Sequence, residues 1–320
     1  MQRAAEVLSS APSVAIVCHV NPDTDALGSM LGLSIYLRSR GVETVCSFPN
    51  EPFEAPRWAE ELPGREALVE PAAFPKQPDV MVTCDAASID RLGVLAQVAS
   101  SAGELIWIDH HRSNDGLGTI SLVDPRASST CELVYRLTRA IGGDLPADAA
   151  KCLYAGLVTD TGRFQYEAVR PETLRLAASL REYPFDHARL AQILYEDNTA
   201  AYLKVLGTAL GRLTLVPEVD LVWSYLTRAD LEAGKVRSTD ADDLIDVIRT
   251  AREADVAAVI KQQRDGRFKV SLRSRGGHDV AAIAAAFGGG GHRLAAGYTS
   301  PDGLADTVER LTAALRGGRS

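Results

Sequence analysis

The sequence lacks paired cysteines, long apolar runs and an excess of basic residues. Its five cysteines are odd in number and include no C-x-x-C pair, so neither a disulfide framework nor a zinc ribbon is indicated. No apolar run approaches the roughly 20 residues of a transmembrane helix, and the N-terminal segment lacks the continuous apolar stretch of a signal peptide. We therefore expect a cytoplasmic protein with no membrane partner.

The formal net charge of −8 argues against long duplex DNA as a partner. Proteins that bind long duplexes usually neutralise the phosphates with a basic surface. The sequence also lacks a strip of basic residues interleaved with aromatic residues, which would bind a long single strand. Small anions remain suitable substrates, because bound cations locally reverse the field of an acidic protein. The charge balance favours short substrates.

The length of 320 residues predicts two domains, at roughly one domain per 150 residues. In the first half, short apolar runs alternate with helical patterns, which is typical of a parallel sheet covered by helices. Residues 186–213 form a helical stretch with few breakers, and the strand pattern changes after it. We predict an α/β fold in which a parallel-sheet catalytic domain (1–185) is joined by a helical connector (186–213) to a smaller α/β substrate-binding domain (214–320).

Acidic and imidazole residues follow three predicted strands, at 14–18, 80–84 and 105–108. In an open parallel sheet, ligands bind beyond the carboxyl ends of the strands. A further acidic residue follows the predicted helix 147–159. The residues that we expect to meet at this edge of the sheet are His19, Asp23, Asp25, Asp85, Asp109, His110, His111 and Asp160.

Carboxylates gathered at one edge would repel each other by several kcal/mol per pair at about 4 Å, so we expect cations among them. Imidazole and carboxylate ligands without thiolates favour Mn²⁺, with Mg²⁺ or Co²⁺ as alternatives. Two such ions sharing a carboxylate suit in-line attack by water on phosphorus. Each residue alone has an ordinary interpretation, such as a helix N-cap for Asp23. The prediction of a two-metal site rests on the joint pattern.

The motifs resemble those of the DHH–DHHA1 phosphoesterases in their order and in their residue patterns, and the resemblance covers almost the whole chain. Its third motif is the Asp-His-His triplet that names the family. Within the family, the length and wording are closest to the branch of oligoribonucleases that also act as 3′-phosphoadenosine-5′-phosphate phosphatases, and actinobacterial members of this branch are associated with cyclic dinucleotide breakdown. The matching segments are residues 19–29, Asp85, residues 109–111 and residues 156–164 in the first half, and residues 270–274 and 288–292 in the second.

The resemblance implies an activity and a set of roles. The activity is hydrolysis of short oligoribonucleotides or dinucleotides to mononucleotides, and of the nucleotide bisphosphate phosphoadenosine phosphate to AMP. His111 would face the reacting phosphate or the leaving group, Asp109 would orient both histidines, and the protein would be a homodimer that pairs through the first domain. The implied ligands are His19, Asp23 and Asp85 for one metal ion, and Asp25, the bridging Asp85, His110 and Asp160 for the other.

The second domain is expected to hold the substrate. Glycine N–H groups can approach an anion without obstruction by a Cβ atom, and guanidinium groups form paired hydrogen bonds with phosphate. A flexible turn and a solvated surface charge are the competing interpretations of the glycine run and of Arg249. The residues predicted to contact substrate are Arg249, Arg273, Arg275, Gly289, Gly290, Gly291 and His292.

Several other functions compete with this prediction. One alternative is that the main role is hydrolysis of a cyclic dinucleotide of the c-di-AMP type. A manganese pyrophosphatase is disfavoured by the glycine-rich element of the second half, and an aspartate-nucleophile phosphatase would leave the histidines without a role. A catalytically idle nucleotide-sensing module should have lost metal ligands, whereas every ligand position is retained.

Overall fold

Five short strands of the first half form one sheet in the computed structural model, which describes residues 1–114, 116–238 and 241–317. The chain divides into unit 1, Met1–Asp197, and unit 2, Asn198–Ser320. Unit 1 contains, in chain order, α1 (Gln2–Ser10), β1 (Ser13–Cys18), α2 (Thr24–Ser39), β2 (Glu43–Ser47), β3 (Val80–Cys84), α3 (Ala96–Ser101), β4 (Glu104–Asp109), β5 (Ile120–Val123), α4 (Thr130–Ile141), α5 (Ala147–Asp160), α6 (Pro171–Arg181) and α7 (His187–Tyr195).

The sheet of unit 1 has the strand order β2-β1-β3-β4-β5, and every neighbouring pair is parallel. Ile16 of β1 belongs to a core cluster with α2, α4 and α5, whereas its neighbour Val17 belongs to a second cluster that includes α3. Both faces of the sheet are therefore covered. This double burial is why the central strands β1, β3 and β4 consist mostly of apolar residues.

The strand register aligns the ends of β1, β3 and β4. Cys18 pairs with Cys84, and Cys84 pairs with Ile108. His19 and Asp85 therefore leave the sheet side by side. They do so between β1 and β3, where the strand order reverses, which is the usual position of a ligand site in an open α/β sheet.

Unit 2 contains, in chain order, α8 (Ala200–Gly211), β6 (Thr214–Val216), β7 (Leu221–Leu226), α9 (Arg228–Gly234), α10 (Leu244–Ile248), β8 (Val256–Gln262), β9 (Phe268–Ser274), α11 (Val280–Ala286), β10 (Gly290–His292), β11 (Ala295–Ser300) and α12 (Leu304–Gly317). Its strands form a mixed sheet with the order β10-β11-β9-β8-β7-β6, in which only β7 and β8 pair in parallel among the described strands. Together with the parallel sheet of unit 1, this mixed sheet confirms the predicted α/β fold.

The stretch predicted as a helical connector, 186–213, contains two helices, α7 and α8, separated by residues 196–199. The boundary between the units falls in this interruption. Thr199 caps α8 by accepting the N–H of Tyr202 at 3.0 Å, which gives the second helix its own start. Within the described ranges, none of the helices combines the length and apolarity needed to span a bilayer.

Candidate metal centre

His19 is the first residue beyond β1 and is 5% exposed. Its Nε2 atom lies 3.5 Å from Oδ2 of Asp85 and 3.8 Å from Oδ2 of Asp23. On the other side of the ring, Nδ1 lies 2.8 Å from the carbonyl oxygen of Val20. A neutral imidazole that donates Nδ1–H to this carbonyl keeps Nε2 as an acceptor, which metal binding requires. The end of β1 thus presents a nitrogen ligand to two carboxylates.

Asp23 and Asp25 lie at the start of α2. Oδ1 of Asp23 caps the helix by accepting the N–H of Ala26 at 2.9 Å, so its Oδ2 stays available to the buried imidazole. The N-cap interpretation and the ligand interpretation of Asp23 are therefore compatible. Asp25 is buried, and its two oxygens accept the N–H groups of Thr130 and Cys131 at 2.6 and 2.9 Å. The positive end of the α4 dipole stabilises that carboxylate.

Asp85 lies between the two sides of the cluster. It follows β3 in a left-handed conformation (φ 59°), which aspartate tolerates better than most residues. Its Oδ2 faces His19 at 3.5 Å, and its Oδ1 lies 3.7 Å from Nε2 of His110. Oδ1 also accepts the hydroxyl of Thr130 at 2.8 Å. One carboxylate thus contacts imidazoles from the ends of two different strands.

Asp109, the last residue of β4, is fully buried and orders the residues that follow it. Its Oδ1 accepts the backbone N–H of His110 at 2.8 Å and Nδ1–H of His111 at 2.6 Å, while Oδ2 accepts the amide of Asn114 at 2.7 Å. Since an ionised carboxylate only accepts hydrogen bonds, Nδ1 of His111 carries a proton. That nitrogen is not a metal ligand in this state, although it lies 3.7 Å from Asp85.

His110 faces a second group of carboxylates. Its Nε2 lies 3.3 Å from Asp160, 3.7 Å from Asp85 and 3.9 Å from Asp25. Asp160 is the last residue of α5, which packs closely against α2. A Cβ atom added to Gly156 of α5 would lie 2.9 Å from Cα of Asp25, so glycine permits this approach. The packing brings the end of α5 to the sheet edge.

These side chains form overlapping groups whose ligand atoms lie within 4.8 Å of one another. Oxygen and imidazole donors in this mixture fit two neighbouring divalent ions of the first transition row. The five cysteines are buried and belong to none of the groups among the described residues, as expected for thiols that point into the core. The groups are His19, Asp23 and Asp85; Asp25, His110 and Asp160; and Asp85, His110 and His111.

Burial and mutual repulsion shift the ionisation of the cluster. Burial, together with the charge of Asp85, raises the pKa of Asp25 to about 7, and burial raises the pKa of Asp160 well above its ordinary value. Burial lowers the pKa of His19, but hydrogen bonds to Asp23 and Asp85 outweigh this effect and raise the pKa to about 10. Protons therefore compete with cations for this site.

The residues predicted to contact substrate lie in unit 2. Nε of Arg249 and Nε of Arg273 lie 3.2 and 3.7 Å from the same oxygen of Asp246. Arg275 donates to the backbone carbonyl oxygens of Arg249 and Thr250 at 3.2 and 3.1 Å. The structure brings the three arginines together, and it uses Arg275 to hold the end of α10.

The glycine run forms β10 and the turn before it. A side chain at Gly289 or Gly291 would collide with the backbone of β11, so both positions need glycine for strand packing. Gly290 has open space where its Cβ atom would be. The side chain of His292 lies outside the described part of the structure, and its role stays a prediction.

Two residues that support the cluster escape the sequence analysis. Thr130 donates to Asp85 from the first position of α4, and the Ser-Ser pair before that helix is a detectable N-cap signal. Asn114 donates to Asp109 from the loop after β4 and has no comparable signal. Both contacts depend on tertiary structure.

The chain was compared with families and with known proteins. The profile described as "DHH family, N-terminal domain" matches residues 13–157, and that of the DHHA1 domain matches residues 222–317. A bifunctional oligoribonuclease and PAP phosphatase NrnA from Thermus thermophilus is 34% identical, covering 99% of this chain and 93% of that protein. The protein of the same name from Bacillus subtilis is 30% identical, covering 87% and 86%.

Two further proteins are similar to this chain at lower sequence identity. The crystal structure of an exopolyphosphatase-related protein from Bacteroides fragilis matches with a TM-score of 0.91 at 25% identity, covering 98% of this chain and 95% of that chain. The cyclic-di-AMP phosphodiesterase GdpP from Geobacillus thermodenitrificans is 27% identical, covering 90% of this chain but 44% of that protein.

Proposed function

Because the chain belongs to the DHH family of phosphoesterases, hydrolases that act on phosphate esters, we propose that it hydrolyses short oligoribonucleotides to mononucleotides and phosphoadenosine phosphate to AMP with two divalent metal ions. The observation that carries this proposal is the position of Asp85, whose two oxygens face His19 and His110, one in each donor group. A carboxylate shared by both groups suits a pair of closely spaced ions.

In this proposal, two sets of ligands hold the ions. The mixture of imidazole and carboxylate favours Mn²⁺ over Mg²⁺, with Co²⁺ as a further alternative. When bound, the ions would activate water and offset the charge of the phosphate. The first set is His19, Asp23 and Asp85, and the second is Asp25, Asp85, His110 and Asp160.

The protein's own residues have separate tasks. Asp109 holds a proton on Nδ1 of His111 and thereby fixes the orientation of the ring. The other ring nitrogen, Nε2, would then be the one that holds a proton and transfers it to the leaving oxygen. Thr130 fixes the carboxylate of Asp85 through its hydroxyl. These contacts set the geometry of the site before substrate arrives.

The residues of unit 2 are proposed to bind the part of the substrate that does not react. Asp246 holds Arg249 and Arg273 side by side, which suits recognition of a phosphate by guanidinium groups. Arg275 would act by anchoring the backbone beside them. With a net charge of −8, such a local cationic group favours a short anionic substrate over a long one. We also place the protein in the cytoplasm and expect a homodimer that pairs through the first domain.

A panel of substrates tests the proposed function. The full chain would be incubated with Mn²⁺ and a diribonucleotide, a longer RNA, phosphoadenosine phosphate, a cyclic dinucleotide or pyrophosphate, with product lengths resolved by chromatography. We expect mononucleotides from the diribonucleotide and AMP from phosphoadenosine phosphate, with slow or no reaction on long RNA and pyrophosphate. Preference for the cyclic dinucleotide would favour that alternative role, for which the similarity to GdpP is the supporting observation. Binding without turnover of any substrate would favour a sensing module.

A further inference from the structure

Arg91 lies beside the metal centre but has no part in the ligand sets above. It belongs to the loop between β3 and α3 and is exposed to solvent. Its backbone carbonyl accepts the N–H of Val20 at 2.9 Å, which fastens the loop to the segment after β1. Its Nη2 atom lies 3.0 Å from Nδ1 of His19. The guanidinium is thus one imidazole ring away from the nitrogen that faces Asp23 and Asp85.

The two neighbours of Nδ1 in His19 make incompatible demands. The carbonyl of Val20, at 2.8 Å, needs a proton on Nδ1, whereas the guanidinium of Arg91 needs a lone pair there. A neutral histidine that binds a metal through Nε2 carries its proton on Nδ1. In that state the hydrogen bond goes to Val20, and His19 offers Arg91 no acceptor.

No carboxylate in the described ranges forms an ion pair with Arg91. A guanidinium is always charged and presents five N–H donors. Other acids nearby are directed elsewhere, since Asp23 caps α2 and Asp85 accepts from Thr130. With metal ions bound, the centre would therefore leave a positive charge and several donors beside His19.

We propose that Arg91 binds a non-bridging oxygen of the substrate's reacting phosphate, an inference that rests on the proposed phosphoesterase function. The planar guanidinium matches two phosphate oxygens, and its charge offsets charge that develops during attack on phosphorus. The ligand is the phosphate group itself, in a monoester or a diester. The loop backbone is held by the N–H of Val20, and this contact keeps the guanidinium beside His19.

The test compares Arg91→Lys and Arg91→Gln with Arg126→Gln, which removes the same charge from an arginine whose side chain is 83% exposed in the same unit. Three quantities are measured on the full chain: kcat/KM with Mn²⁺, Mn²⁺ affinity by calorimetry, and affinity for AMP. We expect kcat/KM and AMP affinity to fall about 10- to 100-fold in both Arg91 variants, more in Arg91→Gln, as for loss of a charge-assisted hydrogen bond. Mn²⁺ affinity should stay unchanged, and Arg126→Gln should match the wild type.

A fall in Mn²⁺ affinity, with kcat/KM restored by excess Mn²⁺, would overturn the proposal and make Arg91 a positioning residue for His19. Unchanged kcat/KM and AMP affinity would overturn it as well. The same kinetics are recorded with bis(p-nitrophenyl) phosphate, which carries no nucleotide. If the wild type cleaves this ester but no oligoribonucleotide, the proposed function fails, and the kcat/KM values of the Arg91 variants on this ester still test the Arg91 inference. If the wild type cleaves neither substrate, the AMP affinities of the Arg91 variants test the inference.

Discussion

At the scale of single residues, Asp109 controls which nitrogen of His111 carries a proton. The carboxylate is fully buried and accepts from His110, His111 and Asn114. Such buried acceptors behind a catalytic imidazole fix both its tautomer and its orientation. The chemistry proposed for His111 therefore depends on a residue that lies outside both proposed ligand sets.

The substitution Asp109→Asn tests this dependence. An asparagine side chain has one acceptor oxygen and one donor NH2 group, so it cannot accept hydrogen bonds from His111 and Asn114 on separate atoms as the carboxylate does. One of these hydrogen bonds is therefore lost, or the ring of His111 turns. We expect kcat for a diribonucleotide to fall about 10- to 100-fold, with a smaller change in KM. Asn114→Ala, which removes one partner of Asp109, should have a smaller effect. Full activity of Asp109→Asn would remove the proposed role.

At the scale of elements, the contact between α2 and α5 positions ligands from two helices. Gly28 of α2 approaches the backbone oxygen of Cys152, and Gly156 of α5 approaches Cα of Asp25. The two helices carry Asp25 and Asp160, so their separation sets the distance between these carboxylates. Small residues at this interface are therefore part of the construction of the site.

Gly156→Ala should push α5 away from Asp25. We expect it to lower the free energy of unfolding by about 1–3 kcal/mol through overpacking and to weaken Mn²⁺ binding. Gly207→Ala is the matched control, because Gly207 lies in α8 with open space around its Cβ position. That control should raise stability by about 0.5–1 kcal/mol, since alanine favours a helix interior over glycine. Urea unfolding measures both, and a loss of equal size in the two variants would contradict the account.

A second element-scale prediction concerns the contact between α8 and α9. Arg212, which follows α8, donates to Asp230 of α9 at 2.5 and 2.9 Å, and these hydrogen bonds lower the pKa of Asp230 from 3.8 to about 2. A carboxylate whose pKa is lowered by folding stabilises the folded state at pH values above its pKa in the unfolded chain. This stabilisation disappears as the pH falls through its pKa in the folded protein. Asp230→Asn should thus lower the urea midpoint at pH 7, with a difference that shrinks between pH 4 and pH 2. A difference independent of pH would contradict this assignment.

The elements that could be predicted from the sequence are those with a strong local pattern. β3 has the predicted bounds because a continuous apolar run marks it. β5 was missed, since its four residues alternate between buried and exposed and offer too little pattern. The interruption between α7 and α8 was missed because residues 196–199 contain no glycine or proline.

In the candidate site, too, the positions of some residues could be predicted from the sequence and other contacts could not. The positions of His19, Asp85 and Asp109 were predictable because each lies at the end of a recognisable strand, and parallel strands end at one edge. The hydrogen bonds from Thr130 and Asn114, and the approach of Arg91 to His19, join residues far apart in the chain. No local pattern encodes such contacts.

At the scale of the whole molecule, we expect charge and metal binding to be coupled. The net charge is −8, and part of it is concentrated in the buried carboxylates of unit 1. Ions that bind only the folded chain shift the folding equilibrium toward it. The folded state and the loaded centre should therefore stabilise each other.

Thermal unfolding with and without Mn²⁺ measures this coupling. We expect Mn²⁺ at about 100 times its Kd to stabilise the chain by roughly 2.7 kcal/mol for each site, and EDTA to reverse the effect. Mg²⁺ at the same concentration should give a smaller rise, because imidazole is a poor ligand for it. Equal melting temperatures in Mn²⁺ and EDTA would show that the clustered side chains bind no ion.

The central claim is that one carboxylate, Asp85, serves both donor groups. The most direct measurement is the turnover of a diribonucleotide in Mn²⁺ by Asp85→Asn, a variant that keeps the shape of the side chain and tolerates the left-handed backbone at this position. Asp148→Asn, on the exposed start of α5, is the control. We predict that Asp85→Asn loses at least about 10³-fold in turnover while keeping its circular dichroism spectrum, because several kcal/mol of charge stabilisation would be lost. Near-normal turnover by a folded Asp85→Asn protein would contradict the two-metal account.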